Sequence, residues 1–166
     1  MRKDGDVPTK DLHDHSQWNG VKIRSHDFGA TGKRNINRQT YVHDGRTYRT
    51  GSEAHLAEML RRQRIPFTSD VLFELMSESQ EPRIYVPDFI FNKNAYVWQG
   101  SRGRKPMLIH GIEAKDRNRE GKFPERAWEN VRILEKQRGI VILLLSNEAI
   151  ARHWRQERLP LEPNDP

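Results

Sequence analysis

The chain has 166 residues, 34% of them hydrophobic, no cysteine, and a formal net charge of +6 with a pI of about 9.8. That length suits one domain around one core, and the lack of any long apolar run excludes a membrane-spanning helix. Without cysteine there are no disulfides, thiolate zinc sites or cysteine-held iron–sulfur clusters, and with no charged-then-apolar leader the expectation is an intracellular, cytoplasmic protein.

Residues 1–39 are rich in Asp, Asn, Gly, Lys and Arg without sustained periodicity. This predicts a basic, loop-rich arm ahead of a single domain spanning residues 40–166. Much of the charge excess is local. Lys22, Arg24, Lys33, Arg34, Arg38, Arg46 and Arg49 are accompanied only by Asp27 and Asp44. Such a segment suits a polyanionic partner, because each phosphate neutralised releases counterions; a solvated arm that aids solubility is the plainer alternative. Two further patterns there fail. Gly29-Ala30-Thr31-Gly32-Lys33 has Asp27 where a phosphate-binding loop has its first glycine and Arg34 where it has a hydroxyl, and His13-Asp14-His15 lacks partners at ligand spacing.

Asp44-Gly45 between Gln39-Thr40-Tyr41-Val42-His43 and Arg46-Thr47-Tyr48-Arg49 predicts a hairpin. A helix follows, capped by Thr50 or Ser52, with Glu53 in its first turn and Leu56, Met59 and Leu60 as an apolar stripe before Pro66. Strands are expected over residues 68–75, 83–91 and 107–115. The segment 92–106, containing Gly100-Ser101-Arg102-Gly103-Arg104, reads as a basic loop. Phe123-Pro124-Glu125 opens a second helix, in which Ala127, Val131 and Leu134 keep helical spacing as far as Gly139. Residues 140–145 are too apolar to have a wet face, as expected of a strand buried on both sides. A last helix, from 147 to about 158, precedes a proline-containing tail. The apolar residues of the two central helices, Met59 and Trp128 included, are expected in the core rather than as a stacking platform for bases.

The chemistry-bearing residues lie in two of these strands. In Ile112-Glu113-Ala114-Lys115, side-chain alternation puts Glu113 and Lys115 on one face. In Tyr85-Val86-Pro87-Asp88-Phe89, the proline argues for an edge, bend or bulge, from which Asp88 can lean towards a neighbour. Two carboxylates and one ammonium presented together make a workable metal site for phosphodiester hydrolysis. Each residue also has a plainer reading: an exposed Glu113–Lys115 ion pair, Asp88 as a turn former, Glu53 as a charge favourable to a helix N-terminus.

The order helix, three strands, helix, strand, with Pro87-Asp88 and Glu113-Ala114-Lys115, resembles the PD-(D/E)xK nuclease superfamily. The resemblance covers residues of about 52–146. It implies an α/β, restriction-endonuclease-like αβββαβ core with a mixed central sheet flanked by helices, and it makes Glu53 similar to the additional helix glutamate of some branches.

The implied activity is that of a magnesium-dependent DNA endonuclease, with manganese as a substitute. Catalytic residues would be Glu53, Asp88, Glu113 and Lys115. The metal would be held by Asp88, Glu113 and the Ala114 main-chain carbonyl, with Glu53 serving a second ion or one of its waters. Lys115 would orient the attacking water and stabilise transition-state charge. Candidate DNA contacts are Lys33, Arg34, Arg38, Arg46 and Arg49 in the N-terminal part, and Arg102, Arg104, Arg117, Arg119 and Lys122 around the third strand. One site cuts one strand, so a symmetric homodimer is the expected way to cut two. A non-catalytic nucleic-acid-binding module on the same fold, a junction resolvase and an RNA-directed nuclease are the alternatives.

Overall fold

The computed structural model describes residues 50–164 apart from 70, 93, 101 and 102, together with the backbone of 22–23, 41–43 and 46–48. The fold is mixed α/β. In chain order its elements are β1 (Lys22–Ile23), β2 (Tyr41–His43), β3 (Arg46–Tyr48), α1 (Gly51–Arg62), β4 (Phe67–Thr68), β5 (Val71–Met76), β6 (Pro82–Tyr85), β7 (Phe89–Phe91), β8 (Tyr96–Trp98), β9 (Met107–Ile109), β10 (Gly111–Ala114), α2 (Glu125–Arg138), β11 (Ile142–Leu145), α3 (Asn147–Arg155) and β12 (Leu161–Pro163).

Local chemistry explains the helix ends. Thr50 Oγ1 accepts from the Glu53 N–H at 3.1 Å, so Thr50 rather than Ser52 caps α1, and Ser146 Oγ caps α3 by accepting from Ala149 N–H at 3.1 Å. Gly139 ends α2 in the left-handed region at φ 68°, where a side chain would add strain. The expected hairpin is present as the antiparallel pair β2–β3, in the register Tyr41 with Tyr48 and His43 with Arg46.

A mixed sheet in the order β11-β10-β7-β4 forms the centre. β10 runs parallel to β11 and antiparallel to β7. A parallel neighbour requires a crossover, which α2 supplies. Alternation along β7 divides the core between the two faces. Phe89 and Phe91 pack with Leu56, Met59 and Leu60 of α1 and Ile150 of α3, whereas Ile90 packs with Val131 and Leu134 of α2. Helices therefore cover both faces. Side chains also tie the elements together: Arg83 of β6 meets Glu129 of α2 at 3.1 Å, and Gln63, at the end of α1, exchanges two hydrogen bonds with the backbone of Leu159, between α3 and β12.

Gly111 is fixed by close approach. A Cβ there would sit against the Phe89 carbonyl oxygen and 3.0 Å from Cδ1 atoms of Ile90 and Ile142. No other residue lets β7, β10 and β11 come together at this point.

Several expectations change in detail. The strand expected over 83–91 divides at Val86-Pro87-Asp88, so that β6 pairs with β5 while β7 joins the central sheet. The strand expected over 107–115 divides at His110, whose Nδ1 accepts from the Val141 N–H at 3.0 Å; β9 turns away into a separate sheet, β12-β8-β9. The strand expected over 68–75 is likewise two strands, β4 and β5, in different sheets. Within 92–106, expected as loop, Tyr96–Trp98 form β8, and the tail contributes β12, which pairs with it. In the arm, the backbone of Lys22–Ile23 adds to the edge of β5. Among the described residues, no helix is long and apolar enough to cross a membrane.

Candidate functional site

The register between β7 and β10 brings the two acidic motifs together. Ile90 lies opposite Gly111 and Phe89 opposite Ile112, so the ladder ends one residue short of both Asp88 and Glu113. The ladder stops there because the chain bends at Pro87, which has no N–H to offer. Beyond that stop the Asp88 side chain serves as the acceptor: its Oδ2 takes a hydrogen bond from the Ala114 N–H at 2.8 Å.

Glu113 is largely shielded from water. Burial is the main cause that pushes its carboxyl up, to about 7, and the charge of Glu53 pushes in the same direction. Lys115 and a hydrogen bond from the Tyr85 hydroxyl, donated to Oε2 at 3.2 Å, pull the other way. The Tyr85 hydroxyl is itself driven well above its ordinary range by burial, then by the charges of Glu113 and Asp88. It therefore stays protonated and acts as a donor.

Lys115 is exposed, one residue past the end of β10. Its N–H donates to the Leu145 carbonyl at 2.8 Å, so the ladder continues far enough to leave Lys115 on the face of Glu113. Glu53 stands in the first turn of α1, held there by the Thr50 cap. Its charge reaches Glu113. Among the described residues, however, no three Asp, Glu, His or Cys side chains gather closely enough to hold a metal ion. The acids that come near one another here are Asp88 and Glu113, with Glu53 as a neighbouring charge. One or two carboxylates plus a carbonyl such as that of Ala114 suit magnesium, which keeps several waters; the donor set fits that ion.

Of the basic candidates, Arg104, Arg117, Arg119 and Lys122 are exposed. Lys33, Arg34, Arg38, Arg49 and Arg102 lie outside the described residues, and of Arg46 only the backbone in β3 is described. The loop after β10 is shaped by Asn118, whose Oδ1 accepts from the N–H groups of Glu120 and Lys122, both at 3.0 Å. This leaves its three cations outward.

Two features were not anticipated. Tyr85 is a direct partner of Glu113; the available signal was a hydroxyl in an otherwise apolar run two residues before Pro87. Trp128 is 51% exposed instead of buried, edge-on to Phe123, over whose ring the Arg117 guanidinium lies at 5.1 Å. Met59, in contrast, is fully buried as expected.

Comparison with protein-family models, curated proteins and solved structures found no match to this chain.

Proposed function

We propose that this protein is a magnesium-dependent DNA endonuclease of the PD-(D/E)xK type, with a restriction-endonuclease-like core made of α1, the three strand regions β4–β5, β6–β7 and β9–β10, then α2 and β11. The observation that carries the proposal is the hydrogen bond from Ala114 N–H to Asp88 Oδ2 at the end of the β7–β10 ladder, which joins Asp88 to the strand of Glu113, with Lys115 on the Glu113 face. In a structure with a spare turn or a surface ion pair, these residues would have no reason to converge.

Asp88, Glu113 and the Ala114 carbonyl would hold the ion, which supplies Lewis-acid stabilisation of charge on the phosphate. The protein's own groups set up the rest. The Ala114 N–H fixes the Asp88 carboxylate, and the Tyr85 hydroxyl fixes that of Glu113. Lys115, exposed beside them, orients the attacking water and offsets negative charge as the phosphate becomes pentacovalent. The cations of the 115–122 loop anchor the flanking phosphates. A homodimer would supply two such sites for cutting both strands.

A binding module without catalysis is the second reading, favoured by the absence of a third metal-binding side chain in the cluster among the described residues. Incubation of the purified protein with plasmid and magnesium separates the two. Nicking or cutting that EDTA stops, and that Asp88→Ala and Glu113→Ala abolish with far-UV circular dichroism unchanged, is the expected result. Magnesium should also raise the melting temperature of wild type and not that of Asp88→Ala, as ligand linkage requires. No cleavage of duplex, single-stranded, branched or RNA substrates with magnesium or manganese would leave the binding module.

A further inference from the structure

A cleft of about 860 Å³ runs along β11, the terminal strand of the central sheet, with its other walls drawn from β8, β9, α3 and the segment leading to β12. Five exposed cations line it from separate stretches of chain: Arg104 and Lys105 before β9, Arg117 after β10, Arg152 on α3 and Arg158 beyond it. Among the described residues none of the five is paired with a carboxylate. The single acid of the lining, Glu162, already accepts from Gln99 Nε2 at 2.8 Å. Unneutralised like charges held around one concavity raise its positive potential and call for an anionic occupant.

We propose that this cleft holds the sugar–phosphate backbone of a single nucleic-acid strand on its way to the Asp88–Glu113 site. The destination rests on the nuclease reading above; the binding does not. Three observations favour a strand. The cations are distributed around the cleft instead of converging on one point, which suits successive phosphates better than one small anion. The volume lies within the roughly 300–1,000 Å³ of pockets that enclose small molecules, so it admits a few nucleotides of one strand and not a duplex. Where the cleft meets Arg117, whose guanidinium covers the Phe123 ring, the chain carries the exposed Trp128, an apolar surface on which an unpaired base can stack.

The cleft and the site share neighbouring strands. Leu144, in the cleft wall, is the register partner of Glu113, so the Glu113 backbone lies one strand spacing, ~4.8 Å, from the strand that forms the wall. Leu145, also in the wall, accepts the Lys115 N–H.

Fluorescence anisotropy of a labelled oligothymidine with the full-length protein in EDTA reads binding independently of cutting. The double charge reversal Arg152→Glu/Arg158→Glu should weaken single-strand affinity at least about tenfold, and lower the slope of log K against log salt by ~1.4, two contacts at ~0.7 each. Arg104→Glu/Lys105→Glu, on the opposite wall, should do the same, and provides the readout if the first variant fails to fold. Lys136→Glu, on the exposed side of α2, is the control and should bind as wild type. Unchanged single-strand affinity in a folded cleft variant would overturn the proposal, as would an equal loss for a blunt hairpin duplex. Wild type that binds a strand through the cleft but cuts nothing sinks only the nuclease reading. Wild type that cuts while both cleft variants bind normally sinks only the cleft.

Discussion

Asp88 and Ala114, 26 positions apart in the chain, are joined by a side-chain to backbone hydrogen bond of 2.8 Å, and that bond fixes the Asp88 carboxylate beside Glu113. A turn-forming aspartate would bond its own near neighbours. This one bonds the strand that carries the other acid.

Asp88 therefore has two separable roles. Asp88→Ala leaves the Ala114 N–H without its charged acceptor and should cost ~1.5–3 kcal/mol of stability. Asp88→Asn keeps an acceptor oxygen for the Ala114 N–H and removes only the charge, so it should cost less stability than Asp88→Ala. Neither should cut DNA. Thermal melts with a plasmid-nicking assay check both, and an active Asp88→Asn would remove Asp88 from the metal site.

Glu113 makes stability depend on pH in a definite direction. Its carboxyl, ordinarily near 4.5, is raised to about 7 in the folded protein, chiefly by burial. Between those values the folded state holds a proton that the unfolded state has lost, so this contribution is complete below about 4.5 and disappears as pH rises through about 7. The full difference is about 3 kcal/mol. Without metal, the stability of Glu113→Gln relative to wild type should rise across this window; a constant difference from pH 4.5 to 8 would show that Glu113 is not held protonated.

Lys115 is exposed, so Lys115→Ala should leave the melting temperature close to that of wild type. Cleavage should fall ~10²–10⁴-fold, the usual contribution of a positioned proton-transfer or charge-stabilising group. If Lys115→Ala cut at the wild-type rate, its place on the Glu113 face would have no catalytic meaning.

Gly111→Ala tests the alignment of the strands themselves. The added methyl meets the Phe89 carbonyl oxygen and must push β7 from β10. A loss of ~1–3 kcal/mol or more is expected, since backbone cannot yield as a flexible side chain does. Because the same ladder aligns the strands that lead to Asp88 and Glu113, the magnesium-induced rise in melting temperature should shrink with it.

How much of this is legible in the sequence depends on the range of the interactions. The Thr50 cap, the Asp44-Gly45 hairpin, the apolar stripe of α1 and the left-handed Gly139 end of α2 depend on residues within a few positions of each other, and they can be read directly. The division of strands at Val86-Pro87-Asp88 and at His110 cannot be located so closely. His110 interrupts its strand because the backbone of Val141, 31 residues on, occupies both its main chain and its ring nitrogen. Tyr96–Trp98 and Leu161–Pro163 are strands only because they find each other across the chain. Trp128 looks like a core residue by spacing but lies on the outer side of α2, with Phe123 and not the sheet as its neighbour.

By itself the sequence determined which residues are candidates for the chemistry: an aspartate after a proline, a glutamate and a lysine two apart in a strand, a glutamate opening a helix, and an excess of positive charge. Tertiary structure decided which of them meet. The antiparallel β7–β10 pairing brought Asp88 to the end of the strand that carries Glu113, the folded β6 supplied the Tyr85 hydroxyl, and the packing of α3 and the β12-β8-β9 sheet beside β11 gathered scattered cations around one cleft. The reason is physical: side-chain alternation and capping act over a few residues, whereas register, burial and summed charge depend on contacts between segments far apart in the chain.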